Sequence, residues 1–373
     1  MNSERLLLPQ GCNPQCPACT HRYMSAQESL KQKENFIKST LLPWNDLVQT
    51  ITGPEERNRF GYRYKVILNA RYLEKKWLFG MMKRDEFIPI MQCPVQGIEV
   101  NQLLSFLSVV LPPPDEFPLA YYVQAGKQVT LILKGKKQTK IEWLTNEAEK
   151  TFVACQIDGL WIHYNPSAGR RLFEKTPMDC VWGSPWSFDE RNMQYGPRSF
   201  QQLIPELYHA SLREAFSWLK PDPSFSVIDL YSGTGNSIRY WKEAGSHALG
   251  IELAGEAVIC AQKNVPEAMI LRGKCSERIP QADAWAAAQR TSGKEMLLYA
   301  NPPRTGIEPE VLPWIVTSLR PSRIAYLSCS PGTLSRNLEV LSKHDYSVER
   351  ILPFDFFPLT KHVECLALLR KIE

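Results

Sequence analysis

Two residues near the C-terminal end of the chain carry side chains that could make and break a covalent bond. Cys329 lies in the segment Ser-Cys-Ser-Pro-Gly-Thr at 328–333, and Glu364 follows 35 residues later beside an apolar stretch. A thiolate is a nucleophile, and a nearby carboxylate can remove a proton from the adduct that forms. The pair therefore predicts covalent catalysis, provided that the fold brings the two segments together.

The Cys329 thiol would need activation, because a free thiol has a pKa of about 8.5. Pro331 opens a helical pattern, and the positive end of that helix would favour a thiolate just before it. The alternative is that Cys329 is a packed residue and Glu364 a solvated one, as isolated residues of these types usually are. Cys365 should point to the opposite face of its strand from Glu364 and pack in the core.

A second group of residues upstream has the features of a nucleoside site. The chain reads Asp-Leu-Tyr-Ser-Gly-Thr-Gly-Asn at 229–236, Gly-Ile-Glu at 250–252 and Asn-Pro-Pro-Arg at 301–304. The two glycines of the first segment allow a tight turn and a close approach of a cofactor, and Glu252 can accept both hydroxyls of a ribose. No glycine-rich phosphate loop is present, so a nucleoside such as S-adenosylmethionine is favoured over a dinucleotide.

The elements that must position these residues alternate between strand and helix over the final part of the chain. Short apolar runs predict strands at 226–230, 248–251, 269–271, 296–300, 324–328, 348–351 and 365–369. Helical periods fill the gaps between them. This order predicts an α/β fold with a doubly wound, mainly parallel sheet, whose ligands bind beyond the carboxyl ends of the strands.

The N-terminal half has a different pattern. Ser25 and Glu28 have the spacing of a capping box, which predicts a helix that ends near Leu42, ahead of Pro43. Strands are predicted at 64–68, 77–81 and 129–133, followed by a hairpin of 152–157 with 160–164 around Asp158-Gly159. A β-rich domain is therefore expected between the first helix and the α/β domain.

Four of the ten cysteines lie early in the chain, at Cys12, Cys16, Cys19 and Cys93. In a reducing compartment, clustered thiols favour a metal site over disulfides. Four thiolates suit a [4Fe-4S] cluster or a structural zinc ion, and packed cysteines without a metal are the third possibility. The C-x3-C-x2-C spacing also occurs in radical enzymes, but there it precedes a β/α barrel rather than a helix and antiparallel strands.

Size and charge limit the class of protein. The chain has 373 residues and a net charge of +5. This length predicts two or three domains, and the mild positive charge permits a polyanionic partner. No apolar stretch reaches the roughly 20 residues that cross a bilayer, and the N-terminus lacks the features of a secretory signal. We therefore expect a cytoplasmic protein with no membrane partner.

Taken in this order, the motifs resemble the S-adenosylmethionine-dependent RNA (uracil-5-)methyltransferases, in particular the iron–sulfur branch without an N-terminal RNA-binding barrel. The resemblance implies a class I methyltransferase domain with a Rossmann-like sheet. It places five residues at cofactor-contacting positions: Gln201, Tyr231, Asn236, Glu252 and Asn301. After the third strand of the sheet, residues Gly273–Ser276 lack the acidic residue that the family pattern leads us to expect.

The resemblance also implies a reaction. The Cys329 thiolate would add to C6 of a uridine, C5 would take the methyl group, and Glu364 would remove the C5 proton. Cys12, Cys16, Cys19 and Cys93 would hold a [4Fe-4S] cluster. The expected domains are a cysteine-rich segment with its helix (1–45), a β-rich RNA-contacting domain (46–191) and a catalytic domain (192–373), in a monomer that acts on ribosomal or transfer RNA.

A segment of the β-rich part interleaves cations with aromatic residues, as single-stranded or looped RNA would require. Its members are Arg57, Arg59, Tyr62, Arg63, Tyr64 and Lys65. An ordinary strand with one polar face explains the same pattern equally well.

Two other functions fit parts of the sequence. An amino-group methyltransferase would use Asn-Pro-Pro, but that chemistry favours an aromatic residue next, where this chain has Arg304. A non-catalytic RNA-binding or assembly factor could keep the fold. The presence of both Cys329 and Glu364 argues for the enzyme.

Overall fold

The structure is a computed structural model that describes residues 7–136, 139–169, 171–174 and 177–372. The chain divides into two compact units. The first comprises Met1–Tyr23, Glu55–Asp189 and Tyr195–Leu203, and the second comprises Met24–Pro54, Glu190–Gln194 and Ile204–Glu373.

The first unit is built on an antiparallel sheet with one parallel step. Its strands are β1 (Lys65–Leu73), β2 (Lys76–Lys83), β3 (Glu86–Pro89), β4 (Leu119–Ala125), β5 (Gln128–Leu133), β6 (Gly159–Tyr164) and β7 (Asp179–Gly183). The order across the sheet is β3-β2-β1-β4-β5-β6-β7. Helices α2 (Ile98–Val110) and α3 (Asn146–Ala154) complete the unit, and residues such as Phe79 and Phe117 are fully buried in its core. The strands predicted at 64–68 and 77–81 correspond to β1 and β2, which pair antiparallel through residues 69–73 and 76–80. The first half of β1 pairs with β4 instead.

The predicted hairpin around Asp158-Gly159 is wrong. Residues 146–154 form α3 instead of a strand, because the Thr145 side chain caps the helix and Phe152 packs in the core. Gly159 begins β6, which pairs in parallel with β5. A Cβ atom at position 159 would lie 2.2 Å from a backbone oxygen of the neighbouring segment. The glycine therefore permits a close approach of two chain segments rather than a two-residue turn.

The second unit begins with helix α1 (Ala26–Thr40), which starts at the predicted capping box. The Ser25 hydroxyl accepts a hydrogen bond from the Glu28 amide at 3.2 Å, and the Glu28 carboxylate accepts one from the Ser25 amide at 2.9 Å. Two short strands, β8 (Ser187–Phe188) and β9 (Gln194–Tyr195), precede the remaining elements of the chain.

The sheet of the second unit has the predicted alternation of strands and helices. Its strands are β10 (Phe225–Leu230), β11 (His247–Glu252), β12 (Met269–Arg272), β13 (Glu295–Ala300), β14 (Arg323–Ser328), β15 (Tyr346–Phe354) and β16 (Glu364–Lys371). Its helices are α4 (Pro205–Leu219), α5 (Asn236–Glu243), α6 (Gly255–Asn264), α7 (Cys275–Thr291), α8 (Val311–Trp314) and α9 (Pro331–Ser342). All seven predicted strands are present.

The strand order across this sheet is β12-β11-β10-β13-β14-β16-β15. The five strands from β12 to β14 are parallel, and β16 pairs antiparallel with both β14 and β15. The order reverses at β10, so the carboxyl ends of β10 and β13 border the point where open α/β sheets bind ligands. The predicted Rossmann-like class of the fold is confirmed.

The compact units differ from the predicted domains at the first helix. We expected α1 to belong with the cysteine-rich segment, but it belongs to the second unit. Ile37 and Leu41 are fully buried in the core of that unit. The Lys33 ammonium group is buried and donates to the Asp355 carboxylate and, at 3.1 Å, to the Phe357 carbonyl. These contacts are distant in sequence, so the composition of the N-terminal segment could not reveal them.

None of the described helices is both long enough and apolar enough to span a membrane.

Candidate active site and cofactor pocket

Cys329 and Glu364 come together because strands β14 and β16 are adjacent. Ser328 of β14 stands opposite Cys365 of β16 in the antiparallel register. Cys329 directly follows Ser328, and Glu364 directly precedes Cys365, so both lie at the same end of this strand pair. The negative charge of Glu364 acts on the Cys329 thiol, so the predicted nucleophile and base lie close together beyond the carboxyl end of β14. Cys365 is fully buried in the core, as predicted.

The Glu364 carboxyl group is almost completely removed from water. The residue is 3% exposed, and burial raises the pKa of its carboxyl group to about 7. Its Oε2 atom has no hydrogen-bond partner among the described side chains and backbone groups. A buried carboxylate with a free lone pair and a pKa near neutrality is well suited to accept a proton from a bound substrate.

The Cys329 thiol is half-buried in the loop between β14 and α9. Burial raises its pKa, and the negative charge of Glu364 raises it further. The positive charge of Arg304 and a hydrogen bond from it act in the opposite direction, and Arg304 also lowers the pKa of Glu364. The helix α9 begins at Pro331, as predicted, so its N-terminus provides a second stabilising influence on the thiolate.

Arg304 is the main site residue that sequence reasoning missed. Its loop is held in place by α9, since Thr333 Oγ1 donates to the Arg304 carbonyl at 3.1 Å. Asn337 Oδ1 accepts hydrogen bonds from the Ile307 amide at 3.2 Å and from the Tyr326 hydroxyl at 2.8 Å. In the sequence, Arg304 was visible only as a residue unsuited to amino-group methylation. Its place beside the thiol follows from the packing of the loop.

The turn after β10 forms one side of the cofactor pocket. Tyr231 has a positive φ of 62°, an uncommon conformation for a non-glycine residue that occurs mainly at functional sites. The Gly233 amide donates to Glu252 Oε2 at 3.0 Å, and the Ala254 amide donates to Glu252 Oε1 at 2.7 Å. Each carboxylate oxygen keeps a lone pair for a ribose hydroxyl. The turn and the end of β11 are thus joined through the predicted ribose-binding residue.

Asn236 and Asn301 are two further residues of the second unit that were predicted to contact the cofactor. Asn236 is the first residue of α5, and its Oδ1 atom is buried without a hydrogen-bond partner in the described part of the chain. Asn301 follows β13, and its amide donates to the Leu230 carbonyl at 3.3 Å. Gln201 lies in the first unit, within Tyr195–Leu203, and its assignment to the cofactor stays a prediction.

The segment after β12, Gly273–Ser276, lacks the expected acidic residue, but a carboxylate from another loop reaches it. Glu308, in the loop after Asn301, accepts hydrogen bonds from the Cys275 amide at 3.2 Å and the Ser276 amide at 3.1 Å. Its own amide donates to the Tyr231 hydroxyl at 3.1 Å. Sequence reasoning missed Glu308, because it lies 33 residues from Cys275 and no local pattern links them.

The four early cysteines all belong to the first unit. Cys12, Cys16 and Cys93 are close enough to Cys19 to raise its pKa, although burial is the largest cause of that increase. Among the described residues, no three His, Cys, Asp or Glu side chains form a group that could hold a metal ion. The predicted cluster therefore receives no support from the arrangement of possible ligands.

The predicted RNA-contacting segment is not a continuous exposed row. Arg59 and Tyr62 are buried, and Arg59 pairs with Glu56 at 2.8 Å. Arg63 Nε is buried, and its positive charge acts on Cys19 and Cys93. Arg57 is exposed but pairs with Glu55 at 2.7 Å. The alternation of cations and aromatic residues therefore reflects in part a buried and an exposed face of this segment. This agrees with the alternative to RNA contact given by the sequence.

Comparisons with known proteins identify the family of the chain. Residues 187–372 match the sequence profile described as tRNA (Uracil-5-)-methyltransferase. An RNA methyltransferase of Thermosynechococcus vestitus, named as uncharacterized, is 27% identical over 95% of this chain and 82% of its own length. The 23S rRNA (uracil(1939)-C(5))-methyltransferase RlmD of Klebsiella pneumoniae is 24% identical over 97% of this chain and 82% of its own length.

Among solved structures, the tRNA (uracil-54, C5)-methyltransferase of Pyrococcus abyssi in complex with S-adenosyl-L-homocysteine superimposes with a TM-score of 0.72. It is 20% identical, and the match covers 94% of this chain and 85% of that chain. At this identity the superposition establishes the fold. Together with the profile match over the sheet that carries Cys329 and Glu364, it shows that the chain belongs to the family of S-adenosylmethionine-dependent RNA (uracil-5-)methyltransferases.

Proposed function

We propose that this protein transfers a methyl group from S-adenosylmethionine to C5 of a uridine in structured RNA, through a covalent adduct between Cys329 and C6. The observation that carries the proposal is the proximity of Cys329 and Glu364 at the adjoining ends of β14 and β16, with Arg304 close enough to act on both. A nucleophile and a buried base at one strand end are what C5 methylation of a pyrimidine requires.

The residues have distinct roles in the reaction. Uracil C5 is a weak nucleophile until the Cys329 thiolate adds to C6, which moves electron density onto C5 and O4. C5 can then take the methyl group from the sulfonium. Glu364 removes the remaining C5 proton, the ring double bond forms again, and the bond between C6 and Sγ breaks. Arg304 stabilises the thiolate both before addition and after elimination.

The cofactor would be held by the turn after β10. Glu252 would bind the ribose, and the free Oδ1 of Asn236 would accept a hydrogen bond from the amino-acid end of the cofactor. Asn301 lies next to the carboxyl end of β13, beside the methyl-transfer position. Bound S-adenosylmethionine supplies an electrophilic methyl group, which none of the protein's own side chains can provide.

Release of tritium from RNA that contains [5-³H]uridine tests the reaction directly. Methylation at C5 must expel the C5 hydrogen, so purified protein with S-adenosylmethionine should release tritium in step with methyl incorporation. An amino-group methyltransferase would incorporate methyl groups without releasing tritium, and a non-catalytic RNA-binding factor would do neither. Unmodified ribosomal and transfer RNA, assayed separately, would identify the substrate class.

We further propose that the four early cysteines hold an iron–sulfur cluster that joins the N-terminal segment to the sheet of the first unit. Four thiolates can hold a four-iron cluster or a single zinc ion. The charges of Cys12, Cys16 and Cys93 act on Cys19, so the four thiols lie near one another, and this proximity supports the proposal. Two further contacts suit thiolate ligation: the Val95 and Gln96 amides donate to the Cys93 sulfur. Arg63 and Arg22 would offset the negative charge of such a cluster.

Replacement of Cys93 should remove the cluster. Protein purified without oxygen should be brown and contain iron and sulfide, and Cys93→Ser should lose the colour and make the segment before Tyr23 sensitive to protease. Cys180→Ser is the matched control, because Cys180 is an exposed cysteine of the same unit and its loss should change neither property. Stoichiometric zinc without sulfide would contradict the iron–sulfur assignment.

Phe200 is our candidate for an RNA-stacking residue of the first unit. Its ring is 59% exposed, and the Lys65 ammonium lies 4.2 Å from the ring centroid. One face of the ring is thus backed by a cation while the ring stays accessible to a base. Burial lowers the pKa of Lys65 to about 8, so this lysine retains most of its charge at pH 7.

Phe200→Ala should weaken RNA binding by about 1–3 kcal/mol, the range for one lost base-stacking contact, without changing the salt dependence. Arg57→Ala should instead lower the slope of log affinity against log salt by about 1, if Arg57 contacts a phosphate. Phe188→Ala is the control, because Phe188 is similarly exposed at 49% and no cation from the described part of the chain lies over its ring. Equal losses for Phe188 and Phe200 would argue against a specific stacking site.

The assignment of Gln201 to the cofactor, the monomeric state and a cytoplasmic location stay predictions from the sequence. Sedimentation of the purified protein and cell fractionation would test the last two.

A further inference from the structure

The Glu308 carboxylate lies beside the segment after β12, where the sequence itself has no acidic residue. In the family pattern an acidic residue follows the third strand of the sheet, but this chain has Gly273-Lys274-Cys275-Ser276 there. The Glu308 carboxylate enters this position from the loop after β13 and bonds to the first two amides of α7. The acidic residue that is absent from the loop after β12 is thus replaced by Glu308 from the loop after β13.

The surroundings of Glu308 are those of the cofactor pocket. The Tyr231 hydroxyl accepts a hydrogen bond from the Glu308 amide, and Tyr231 belongs to the turn that carries Gly233. The charges of Glu308 and Glu252 both act on the Cys275 thiol, so the two carboxylates flank the same residue. Glu252 is the ribose-binding candidate, and the base of a bound nucleoside must lie next to its ribose.

The Glu308 carboxylate and the neighbouring amides favour a ligand group that donates hydrogen bonds. The amides of Lys274, Cys275 and Ser276 already donate to the carboxylates of Glu277 and Glu308. Each Glu308 oxygen accepts one of these bonds and retains a further lone pair, and the residue is partly exposed. A ligand group at the Glu308 carboxylate therefore meets acceptor atoms, and these three amides offer it no free N–H group. An amino group fits such acceptors, and a carbonyl oxygen does not.

We propose that Glu308 is the residue that recognises the 6-amino group of the cofactor's adenine, in place of the acidic residue absent after β12. The proposal rests on the proposed function, since it assumes an adenosine-containing cofactor in this pocket. Glu308 also joins the pocket to the active-site loop, because it lies four residues after Arg304 in the same loop. The residue proposed to recognise adenine and Arg304, which acts on the Cys329 thiol, thus belong to one loop.

The test compares two ligands that differ only at the purine edge. S-adenosyl-L-homocysteine has a 6-amino group, whereas S-inosyl-L-homocysteine has a 6-oxo group. Isothermal titration of the full chain should show that the wild-type protein prefers the adenosyl ligand by at least about tenfold, as expected for a site with an unpaired acceptor. Glu308→Gln should reduce or reverse this preference, because its amide can donate to the oxo group.

Glu277→Gln is the matched control. Glu277 caps the same end of α7 but belongs to the helix itself, so its replacement should affect the two ligands equally. The readout is a ratio of two dissociation constants from one preparation, so partial unfolding lowers both affinities together and leaves the ratio unchanged.

An unchanged ligand preference in Glu308→Gln would overturn the proposal and leave Glu308 as a cap of α7 only. If the wild-type protein methylates uridine and only this ratio fails, the proposed function survives while the role of Glu308 does not. If the wild-type protein binds neither ligand and releases no tritium from labelled RNA, both are overturned.

Discussion

Cys329→Ala should reduce methylation of RNA to the detection limit, a loss on the order of 10⁶-fold if the reaction depends wholly on the covalent nucleophile. Without the thiolate, C5 of uracil is not activated. The dissociation constant for S-adenosylmethionine should change less than twofold, because the residues proposed to bind the cofactor follow β10, β11 and β13 rather than β14. Methyl incorporation and calorimetric binding measure the two effects.

Cys180→Ala is the control for this substitution. It removes an exposed thiol from the other unit and should leave activity and cofactor binding unchanged. Substantial tritium release by Cys329→Ala would rule out the covalent mechanism, even if the protein proves to be a uridine methyltransferase.

Glu364→Gln should stop the reaction after methyl transfer and accumulate a covalent complex between protein and RNA. The amide cannot accept the C5 proton, so the bond between C6 and Sγ cannot break efficiently, and elimination should slow by about 10²- to 10⁴-fold. The complex should survive denaturing gel electrophoresis and contain the transferred methyl group. The double variant Cys329→Ala with Glu364→Gln should form no complex, which would identify Cys329 as the attachment point.

Elimination in the wild-type protein should depend on pH through the same group. Burial raises the pKa of Glu364 to about 7, and only the carboxylate can act as a base. We therefore expect the rate at which a preformed adduct decays after a pH jump to fall about tenfold per pH unit below 7 and to level off above it. A flat profile between pH 5 and pH 8 would assign the proton to another group.

Thermal unfolding shows whether Glu364→Gln loses activity because the base is missing or because the fold is damaged. A glutamate with a pKa near 7 in the native state and about 4.3 in the unfolded chain destabilises the native state as pH rises through that interval, by on the order of 3 kcal/mol. Glu364→Gln removes this pH-dependent loss of native-state stability, because glutamine does not ionise. The variant should therefore unfold at a higher temperature than the wild-type protein at pH 8, and at nearly the same temperature at pH 4.

The sequence by itself was enough to determine the class of the catalytic unit and to predict the reacting pair. Apolar runs separated by helical periods predicted all seven strands of the second sheet, because strand formation there depends on local burial patterns. The capping box at Ser25 located the start of α1 for the same local reason. Cys329 and Glu364 were recognisable because their chemistry is uncommon at strand ends and because the neighbouring motifs occur in a characteristic order.

Features that depend on distant contacts were decided by the tertiary structure. The pairing of β14 with β16 brings Cys329 close to Glu364, and burial raises the pKa of the Glu364 carboxyl group to about 7. The buried pair of Lys33 and Asp355 draws α1 into the second unit. Gly159 permits a close approach instead of forming the hairpin turn that Asp-Gly indicates locally.

Glu308 shows this most directly, because a carboxylate from the loop after β13 bonds to the first two amides of α7. Local sequence preferences arise from neighbours along the chain, whereas the protonation state and partners of a side chain depend on the groups that folding packs around it. The residues of this site could therefore be found in the sequence, but their electrostatic properties and the contribution of Glu308 and Arg304 required the folded chain.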